Sequence, residues 1–270
     1  MTPLADAARQ LAQVSDTPLL DAELLLAHAL GIEREQLLLK RPADVPAEFD
    51  ALLARRLTGE PIAYIIGTRG FWTIELEVAP GVLIPRPDSE TLIDAAVAHF
   101  RGAPGPKRIL DLGTGSGALL LAGLDQWRQA TGLGIDSSPA ALAIAERNAE
   151  RLAMADRAEF CLSDWAAGIT ERFDLILCNP PYIATSATLG PGVAKYEPHI
   201  ALFAGSDGLD AIRRLAPQLP PLLDAGGLAA IEIGYDQSDA AAALLANGGL
   251  SANLARDLAG RPRAILLTAC

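Results

Sequence analysis

Beyond Lys107 the sequence alternates short apolar runs with amphipathic segments, and this alternation limits the possible folds more than any other feature. Seven runs have the length and composition of buried strands: 107–112, 131–136, 157–162, 173–178, 227–233, 250–256 and 262–268. Helical patterns separate most of them, which is typical of a parallel sheet covered by helices. The connection 257–261 between the last two runs is short, and short connections join antiparallel neighbours. We therefore predict an α/β domain over 83–270, with a mostly parallel seven-stranded sheet and one antiparallel edge strand.

The N-terminal 60 residues predict a separate, small helical domain. Apolar residues recur at helical spacing in four stretches: 4–12, 21–30, 33–39 and 46–57. Gly31 directly follows the second stretch, at a position where a glycine commonly ends a helix. Between about 61 and 82 the pattern changes to alternation, and 63–67 and 71–78 predict the two strands of a hairpin that links the domains.

The composition excludes several classes of function. The formal net charge of −11 over 270 residues argues against an extended nucleic-acid surface, because neutralising phosphates needs clustered Lys and Arg. The arginine doublets at 55–56 and 213–214 are explained by solvated helix faces. No apolar run approaches the roughly 20 residues of a membrane helix, and the N-terminus lacks a signal-peptide pattern, so a cytoplasmic protein is expected. The three cysteines lack metal-site spacing, and no metal is predicted.

A glycine-rich turn follows the first strand of the predicted sheet. It consists of Gly113, Thr114, Gly115, Ser116 and Gly117 and leads into a helical run. Glycines at a strand-to-helix turn let the backbone approach a ligand closely. The spacing differs from the dinucleotide pattern G-x-G-x-x-G, in which the start of the helix faces a pyrophosphate. Asp111, just ahead of the turn, would repel a phosphate, so a cationic or hydroxyl-bearing ligand is favoured.

The ends of the next two strands carry side chains that suit an adenosine. Asp136 ends the second strand, where an acid fits a ribose diol. Asp164 and Trp165 follow the third strand and suit the amino group and the face of an adenine. Alternatively, Asp136 caps the next helix and Trp165 belongs to the core. Together with the glycine turn, these positions predict an S-adenosylmethionine site. Its expected residues are Asp111, Gly113, Thr114, Gly115, Gly117, Asp136, Asp164, Trp165 and Asn179.

The fourth strand ends in Asn179, Pro180, Pro181 and Tyr182, a combination suited to a planar –NH₂ group. The prolines stiffen the loop and hold Asn179 extended. The Asn179 side chain and the Pro180 carbonyl offer acceptors for both N–H bonds of one amine, and Tyr182 offers a flat face for stacking. An ordinary proline turn is the alternative. No His, Cys or Lys adjoins the motif, so positioning and electrostatics, not a strong base, would drive the chemistry.

The segment 83–90, Leu-Ile-Pro-Arg-Pro-Asp-Ser-Glu, opens a helix that is expected to run to about residue 100. Asp88 and Ser89 are candidates for the N-cap of this helix. Arg86 lies between two prolines, where it is either a surface charge or a contact to the substrate.

With these motifs the sequence resembles the class I, Rossmann-like methyltransferases. Within them it resembles the peptide chain release factor N(5)-glutamine methyltransferases, the HemK/PrmC family. Six segments carry the resemblance: 70–72, 83–90, 111–117, 163–165, 179–183 and 196–198. The resemblance implies methyl transfer from S-adenosylmethionine to the side-chain amide nitrogen of the glutamine in a release factor's Gly-Gly-Gln loop. It also implies a substrate-docking domain over 1–60, a β-hairpin linker over 61–82 and a catalytic domain over 83–270.

The resemblance also assigns roles to individual residues. The implied catalytic residues are Asn179, Pro180 and Tyr182. The implied substrate contacts are Asn179, Pro180, Pro181, Tyr182, Arg86 and Glu197. Glu197 is equally consistent with a solvated loop acid. A monomer without membrane or stable nucleic-acid binding is expected, with release factors as its partners.

Two other functions stay open. Nucleic-acid methyltransferases that modify the exocyclic amine of adenine or guanine also use Asn-Pro-Pro-Tyr, although the acidic charge and the lack of a basic patch speak against this substrate. A binding module that has kept the fold and lost activity is the second alternative.

Overall fold

The computed structural model describes residues 3–40 and 45–269, and these residues form two compact units. One unit contains the described residues up to Thr68, together with Val78–Pro80 and Leu189–Glu197. The other contains Arg69–Glu77, Gly81–Thr188 and the described residues from Pro198 onward.

The first unit is helical. Its helices are α1 (Pro3–Leu11), α2 (Pro18–Leu30), α3 (Arg34–Lys40), α4 (Glu48–Leu57), α5 (Ile62–Ile66) and, from later in the chain, α9 (Pro191–Tyr196). The apolar faces of α1 to α5 share one core, in which Leu11, Leu25 and Phe49 are buried. Gly31 adopts a left-handed conformation with φ 63° and ends α2. The four helices predicted for this part of the chain are confirmed.

Arg56 on α4 is a structural residue of the helical unit. Its side chain is 12% exposed, and its Nε donates a 2.7 Å hydrogen bond to the carboxylate of Asp21 on α2. The guanidinium also donates to the carbonyls of Val14 and Glu60. The prediction of a solvated helix face is therefore wrong for Arg56. A long aliphatic stem lets the charged group of an arginine cross between helices, which a pattern along one helix does not show.

The predicted hairpin exists, but with different strands. The stretch 63–67, expected to be a strand, lies in α5, which follows Pro61 and ends at Gly67 with φ 80°. The hairpin is formed by β1 (Thr68–Phe71) and β2 (Ile74–Glu77). Its turn contains Trp72, a non-glycine residue with φ 55°. Periodicity cannot separate a buried helix from a buried strand in so short an apolar run.

The second unit is built on a seven-stranded sheet in the order β5-β4-β3-β6-β7-β9-β8. The strands are β3 (Arg108–Leu112), β4 (Thr131–Asp136), β5 (Ala158–Leu162), β6 (Phe173–Cys178), β7 (Leu223–Glu232), β8 (Leu250–Arg256) and β9 (Pro262–Ala269). In this sheet order, all neighbouring strands from β5 through β4, β3 and β6 to β7 pair in parallel. Strand β9 runs antiparallel to both of its neighbours, β7 and β8. The mostly parallel seven-stranded sheet is confirmed.

The antiparallel strand differs from the prediction only in its place. It is β9, which lies between β7 and β8, so the edge strand on that side is β8. The short connection sets the direction of β9 relative to β8 but not the order of the two strands. Burial explains the order, because Ala264, Ile265 and Leu267 of β9 are buried whereas much of β8 is exposed.

Helices cover both faces of this sheet. They are α6 (Glu90–His99), α7 (Ala118–Gln126), α8 (Pro139–Arg151), α10 (Asp210–Leu215), α11 (Leu219–Leu222) and α12 (Ser238–Leu245). Alternate residues of β3 enter opposite cores: Leu110 and Leu112 pack with α10 and α12, and Ile109 packs with α6 and α7. Because β3 to β7 are parallel, their carboxyl ends meet at one edge, where ligands of open α/β sheets bind. No helix in the described ranges is both long and apolar enough to cross a membrane.

Candidate active site

The glycine-rich turn between β3 and α7 is fastened to the end of β4. The backbone N–H groups of Gly113 and Thr114 both donate to the Ile135 carbonyl at 2.8 Å. The N–H of Gly115 donates to Asp136 Oδ2 at 2.9 Å. Gly113 and Gly115 have φ of 76° and 57°, a region that glycine adopts without strain. These bonds hold the backbone of the turn against the neighbouring strand end.

The side chain of Asp111 stabilises the glycine-rich turn and the start of α7 through hydrogen bonds. This side chain is buried, and Oδ2 accepts hydrogen bonds from Thr114 Oγ1 at 2.7 Å and from the Leu120 N–H at 3.2 Å. Burial raises the pKa of Asp111 to about 7, against the lowering effect of these two hydrogen bonds. The buried Oδ1 has no hydrogen-bond partner among the described residues. Asp111 and Thr114 lie outside the lining of the adjacent cleft, and direct contact of either with a cofactor stays a prediction.

A cleft of about 440 Å³ opens at the carboxyl edge of the sheet. It is lined by seven residues predicted for the site: Gly113, Gly115, Asp136, Asp164, Trp165, Asn179 and Pro181. A β-carbon added at Gly115 would meet no protein atom within 4 Å, so it would point into open space. Gly117 lies outside the cleft lining, and its contact with a cofactor stays a prediction. Gly117 has φ 83°, and a β-carbon there would lie 3.0 Å from Leu121 and 3.3 Å from Ala145. It lets α7 begin close to α8.

Two carboxylates lie along the cleft. Asp136 uses one oxygen for the Gly115 N–H and the other for the Ser138 N–H at 2.9 Å, and both oxygens keep further lone pairs. The N-cap of α8 is Ser138, whose side chain accepts from Ala141, so Asp136 is not the cap. Asp164 is exposed and forms an ion pair with Arg214, which also lines the cleft.

An apolar surface completes the cleft. Trp165 is half-buried and packs against the core with φ 53°, and Ile200 and Phe203 contribute further apolar lining. The cleft thus combines a flat aromatic ring, two carboxylates and glycines that leave space. This combination can hold a ligand that has a planar ring together with hydroxyl or amino groups. No cluster of three or more metal-ligating acids, histidines or cysteines occurs in the part of the chain that the structure describes.

The Asn-Pro-Pro-Tyr loop lies next to this cleft. Asn179 and Pro181 line it, whereas Pro180 is buried and Tyr182 is half-buried outside the lining. Asn179 Nδ2 donates a 2.9 Å hydrogen bond to Ser89 Oγ, and the carboxamide oxygen accepts no hydrogen bond from the residues that the structure describes. Gln237 Nε2 donates to the Tyr182 carbonyl at 3.0 Å and so ties the loop to the segment after β7. The loop is therefore rigid and anchored on both sides.

A buried charged cluster lies behind Tyr182. The carboxyl of Glu232, at the end of β7, is fully buried, and burial raises its pKa to about 7. Burial also raises the pKa of Tyr182, which the positive charges of Arg263 and Arg86 partly oppose. Arg263 is buried on β9 and pairs with Asp88 at 2.8 Å and Asp257 at 3.2 Å. The tyrosine hydroxyl therefore faces a charged interior, while Arg86 is close enough to influence it.

Comparison with known proteins identifies the family. Residues 3–67 match the family model "PrmC N-terminal domain", and residues 89–193 match "Methyltransferase small domain". A release factor glutamine methyltransferase of Rhodospirillum rubrum is 45% identical over 93% of this chain and 79% of that relative. A relative of the same name from Caulobacter vibrioides is 42% identical over 93% of this chain and 89% of its own.

This chain belongs to the release factor glutamine methyltransferase family.

Solved structures share the fold at much lower identity. A methyltransferase of Pyrococcus furiosus is 18% identical with a TM-score of 0.53, over 80% of this chain and 98% of its own. The 16S rRNA methyltransferase RsmC of T. thermophilus, solved with AdoMet and guanosine, is 20% identical with a TM-score of 0.52, over 75% of this chain and 50% of its own. These likenesses show the fold alone, which is the class I methyltransferase fold expected from the sequence.

Two predictions for this family member need correction. Ser89 occupies the N-cap position of α6, but its side chain makes no capping hydrogen bond. Asp88 and Ser89 lie in a 3₁₀ turn, Pro87–Ser89, where Asp88 pairs with Arg263 and Ser89 accepts from Asn179. Glu197 is not a solvated loop acid, since it is 4% exposed within the segment Leu189–Glu197 of the helical unit. Its role as a substrate contact stays a prediction.

The roles of three residues near the motif were not predicted from the sequence. Ser89 holds Asn179, and Glu232 and Arg263 lie behind Tyr182. One sequence signal was available, because Glu232 interrupts the apolar run 228–233 and Arg263 opens the apolar run of β9. A charge inside a buried strand is rarely accidental.

Proposed function

We propose that this protein transfers a methyl group from S-adenosylmethionine to the side-chain amide nitrogen of a glutamine. The glutamine is that of the Gly-Gly-Gln motif in peptide chain release factors. The observation that carries the proposal is the Asn179 carboxamide, tied through its nitrogen to Ser89 and so presenting an oxygen acceptor beside the cleft. The curated relatives that share 42–45% of the sequence carry the name of this activity.

The cleft suits S-adenosylmethionine. Asp136 would accept from the ribose hydroxyls, Trp165 would pack on the adenine, and Asp164 would accept from its amino group. Gly113 and Gly115 leave space for the rest of the cofactor, because neither carries a side chain where they line the cleft. When bound there, the cofactor supplies an electrophilic methyl group on a sulfonium.

The Asn-Pro-Pro-Tyr loop would bind and aim the substrate amide. An amide nitrogen is a poor nucleophile, since its lone pair is delocalised into the carbonyl. Asn179 Oδ1 and the Pro180 carbonyl would accept its two N–H bonds and stabilise the positive charge that develops on nitrogen. Orientation of two bound reactants can supply about 7–11 kcal/mol. The rigid attachment of Asn179 to Ser89 at 2.9 Å supports such a mechanism.

Tyr182, Pro181 and Arg86 would complete the substrate site. The ring of Tyr182 would stack on the amide plane, with Pro181 beside it. The hydroxyl of Tyr182 faces Glu232 and Arg263, which restrains the ring from its far end. Arg86 would contact the substrate backbone, and Glu197 would be a further substrate contact.

The helical domain would dock the protein substrate. We assign docking to 1–60, linkage to 61–82 and catalysis to 83–270. The chain would act in the cytoplasm, since release factors act during translation. It would act there as a monomer.

Transfer of a radiolabelled methyl group to candidate substrates tests the proposal. The chain is incubated with labelled cofactor and, separately, with release factor, ribosomal RNA and DNA. Label in the release factor alone is expected. Incorporation only into nucleic acid would support the exocyclic-amine alternative, and binding of the cofactor without any transfer would support an inactive binding module.

A further inference from the structure

Glu232 is a buried carboxyl with unmet hydrogen-bonding capacity next to the Asn-Pro-Pro-Tyr loop. It is 0% exposed, and neither of its carboxyl oxygens has a hydrogen-bond partner of good geometry among the described residues. In the parallel pairing of β6 and β7, Cys178 is level with Ile231, so Glu232 follows on one strand where Asn179 follows on the other. A buried carboxyl without well-formed hydrogen bonds is costly, and such a group in a folded protein calls for a functional explanation.

Four polar side chains from three other elements face this carboxyl, and the buried thiol of Cys178 at the end of β6 is also electrostatically coupled to it. The four side chains are Asp88 and Ser89 from the 3₁₀ turn, Tyr182 from the loop after β6, and Arg263 from β9. The two hydroxyls and the guanidinium favour the ionised carboxylate, whereas burial and the negative charge of Asp88 favour the protonated acid. Burial has the largest effect, and the pKa of Glu232 is raised to about 7. The balance between the two forms therefore lies in the range where an enzyme is assayed.

Ser89 connects this carboxyl to Asn179. Ser89 Oγ accepts the 2.9 Å hydrogen bond from Asn179 Nδ2, so its own hydrogen is free for another acceptor. A carboxylate at Glu232 can only accept, and it would take the hydrogens of both Ser89 and Tyr182. The direction of donation is then set from end to end: Asn179 donates to Ser89, and Ser89 donates to Glu232.

We propose that Glu232 is a positioning residue, which as a carboxylate fixes the Asn179 carboxamide with its oxygen toward the substrate and restrains the Tyr182 ring through its hydroxyl. A protonated or amidated side chain at this position can donate to Ser89 Oγ. Ser89 can then donate to Asn179 Oδ1, and a flipped carboxamide presents an N–H where the substrate needs an acceptor. This inference deepens the proposed amide methylation and rests on it.

The direct test is Glu232→Gln, which keeps the size and removes the charge. The single-turnover rate constant of methyl transfer at pH 8, and kcat with it, should fall about tenfold or more. This is the scale of one lost hydrogen bond at a reacting group. The KM for release factor and for cofactor should stay within about twofold, as expected of a change confined to orientation. Asp257→Asn is the matched control. It disturbs the ion pair with Arg263 at 3.2 Å without facing Ser89 or Tyr182, and kcat should stay near normal.

The pH dependence gives a second, independent readout. In the wild-type chain kcat should rise with pH around a midpoint near 7, as Glu232 becomes ionised. Tyr182→Phe removes a donor that favours the carboxylate, so it should move this midpoint to higher pH. Ser89→Ala breaks the link between Glu232 and Asn179, so the rise of kcat around pH 7 should shrink or disappear. Asp111 also titrates near 7, but neither hydroxyl is among the groups that shift it, so its contribution should not move.

The inference is overturned if Glu232→Gln, with normal cofactor binding, keeps normal kcat and the normal pH profile. It is also overturned if Asp257→Asn causes the same loss, since charge balance around Arg263 would then explain both. If Glu232→Gln fails to fold, the two hydroxyl variants decide: an unmoved midpoint in Tyr182→Phe together with an unchanged pH step in Ser89→Ala refutes the proposal. Complete lack of methyl transfer by the wild-type chain would refute the proposed function, whereas an active wild type with an unaffected Glu232→Gln variant refutes the role of Glu232 alone.

Discussion

The link between Asn179 and Ser89 makes a quantitative prediction about turnover. Asn179→Ala removes the acceptor proposed for the substrate amide, and loss of one preorganised hydrogen bond at a reacting centre costs about 3–4 kcal/mol. We expect kcat to fall by roughly two to three orders of magnitude. Cofactor affinity should change little, because most of the cleft lining comes from other residues.

Ser89→Ala should have a smaller effect of the same kind. Ser89 is 3% exposed and lies 2.9 Å from Asn179 Nδ2, so the variant leaves a donor in a confined place without its partner. Such a loss costs about 1–3 kcal/mol, which corresponds to a decrease of roughly 5- to 150-fold in kcat. Because Ser89 acts on the amide through Asn179, adding Ser89→Ala to Asn179→Ala should cause little further loss.

A double-mutant cycle measures this dependence. Single-turnover rates of the four proteins are determined at saturating cofactor and release factor, and calorimetric cofactor titration confirms that each protein is folded. A coupling free energy close to the whole effect of Ser89→Ala is expected. Fully additive effects would show that Ser89 does not act through Asn179, and near-normal turnover of Asn179→Ala would remove that residue from the mechanism.

Four further predictions follow from the geometry. Gly115→Ala should weaken cofactor binding about tenfold by placing a β-carbon in the cleft. Gly260→Ala, with φ 77° and equally open surroundings in an exposed turn, should leave calorimetric binding unchanged; equal losses would indicate backbone strain alone. Asp136→Asn should raise the KM for cofactor about tenfold with kcat nearly unchanged, because the Gly115 N–H and the ribose lose a carboxylate acceptor; an unchanged KM would contradict this role. Since the pKa of Glu232 is raised from 4.5 to about 7, its acid form stabilises the fold at low pH and this contribution is lost as pH rises toward 7. Between pH 5 and pH 8 the free energy of unfolding in urea should therefore fall by on the order of 3 kcal/mol more for the wild type than for Glu232→Gln. Equal pH dependence of the two proteins would refute this. Arg56→Ala should destabilise the helical unit by about 3–5 kcal/mol by leaving a buried carboxylate unpaired; hydrogen exchange should show lost protection in 3–40 and normal protection in the sheet.

Local patterns were sufficient to predict most of the fold. The central strands β3, β6 and β7 are largely buried because helices cover both faces of the sheet, so each contains an apolar run in the sequence. The short apolar stretch of α5 was misassigned because helix and strand bury such a stretch equally well. Connection length indicated the direction of β9 but not its place between β7 and β8, which depends on contacts between strands far apart in sequence.

The candidate site was predictable where one segment carries the chemistry. The glycine turn and the Asn-Pro-Pro-Tyr loop each occupy a few consecutive residues, and the fold brings Gly113, Gly115 and Asn179 to one cleft. The supporting residues were not predictable in the same way. Ser89 is 90 positions from its partner Asn179, and the groups around Glu232 come from separate turns and strands. Only the folded chain shows which polar groups share a buried space.

The central claim is methylation of a single glutamine amide, and mass spectrometry of the product tests it most directly. A release factor is incubated with the chain and S-adenosylmethionine, digested, and its Gly-Gly-Gln peptide is fragmented. We expect a gain of one methyl group on the glutamine side chain, absent when that glutamine is replaced and strongly reduced with Asn179→Ala. An unmodified Gly-Gly-Gln peptide, or a methyl group on another residue or on nucleic acid, would contradict the account.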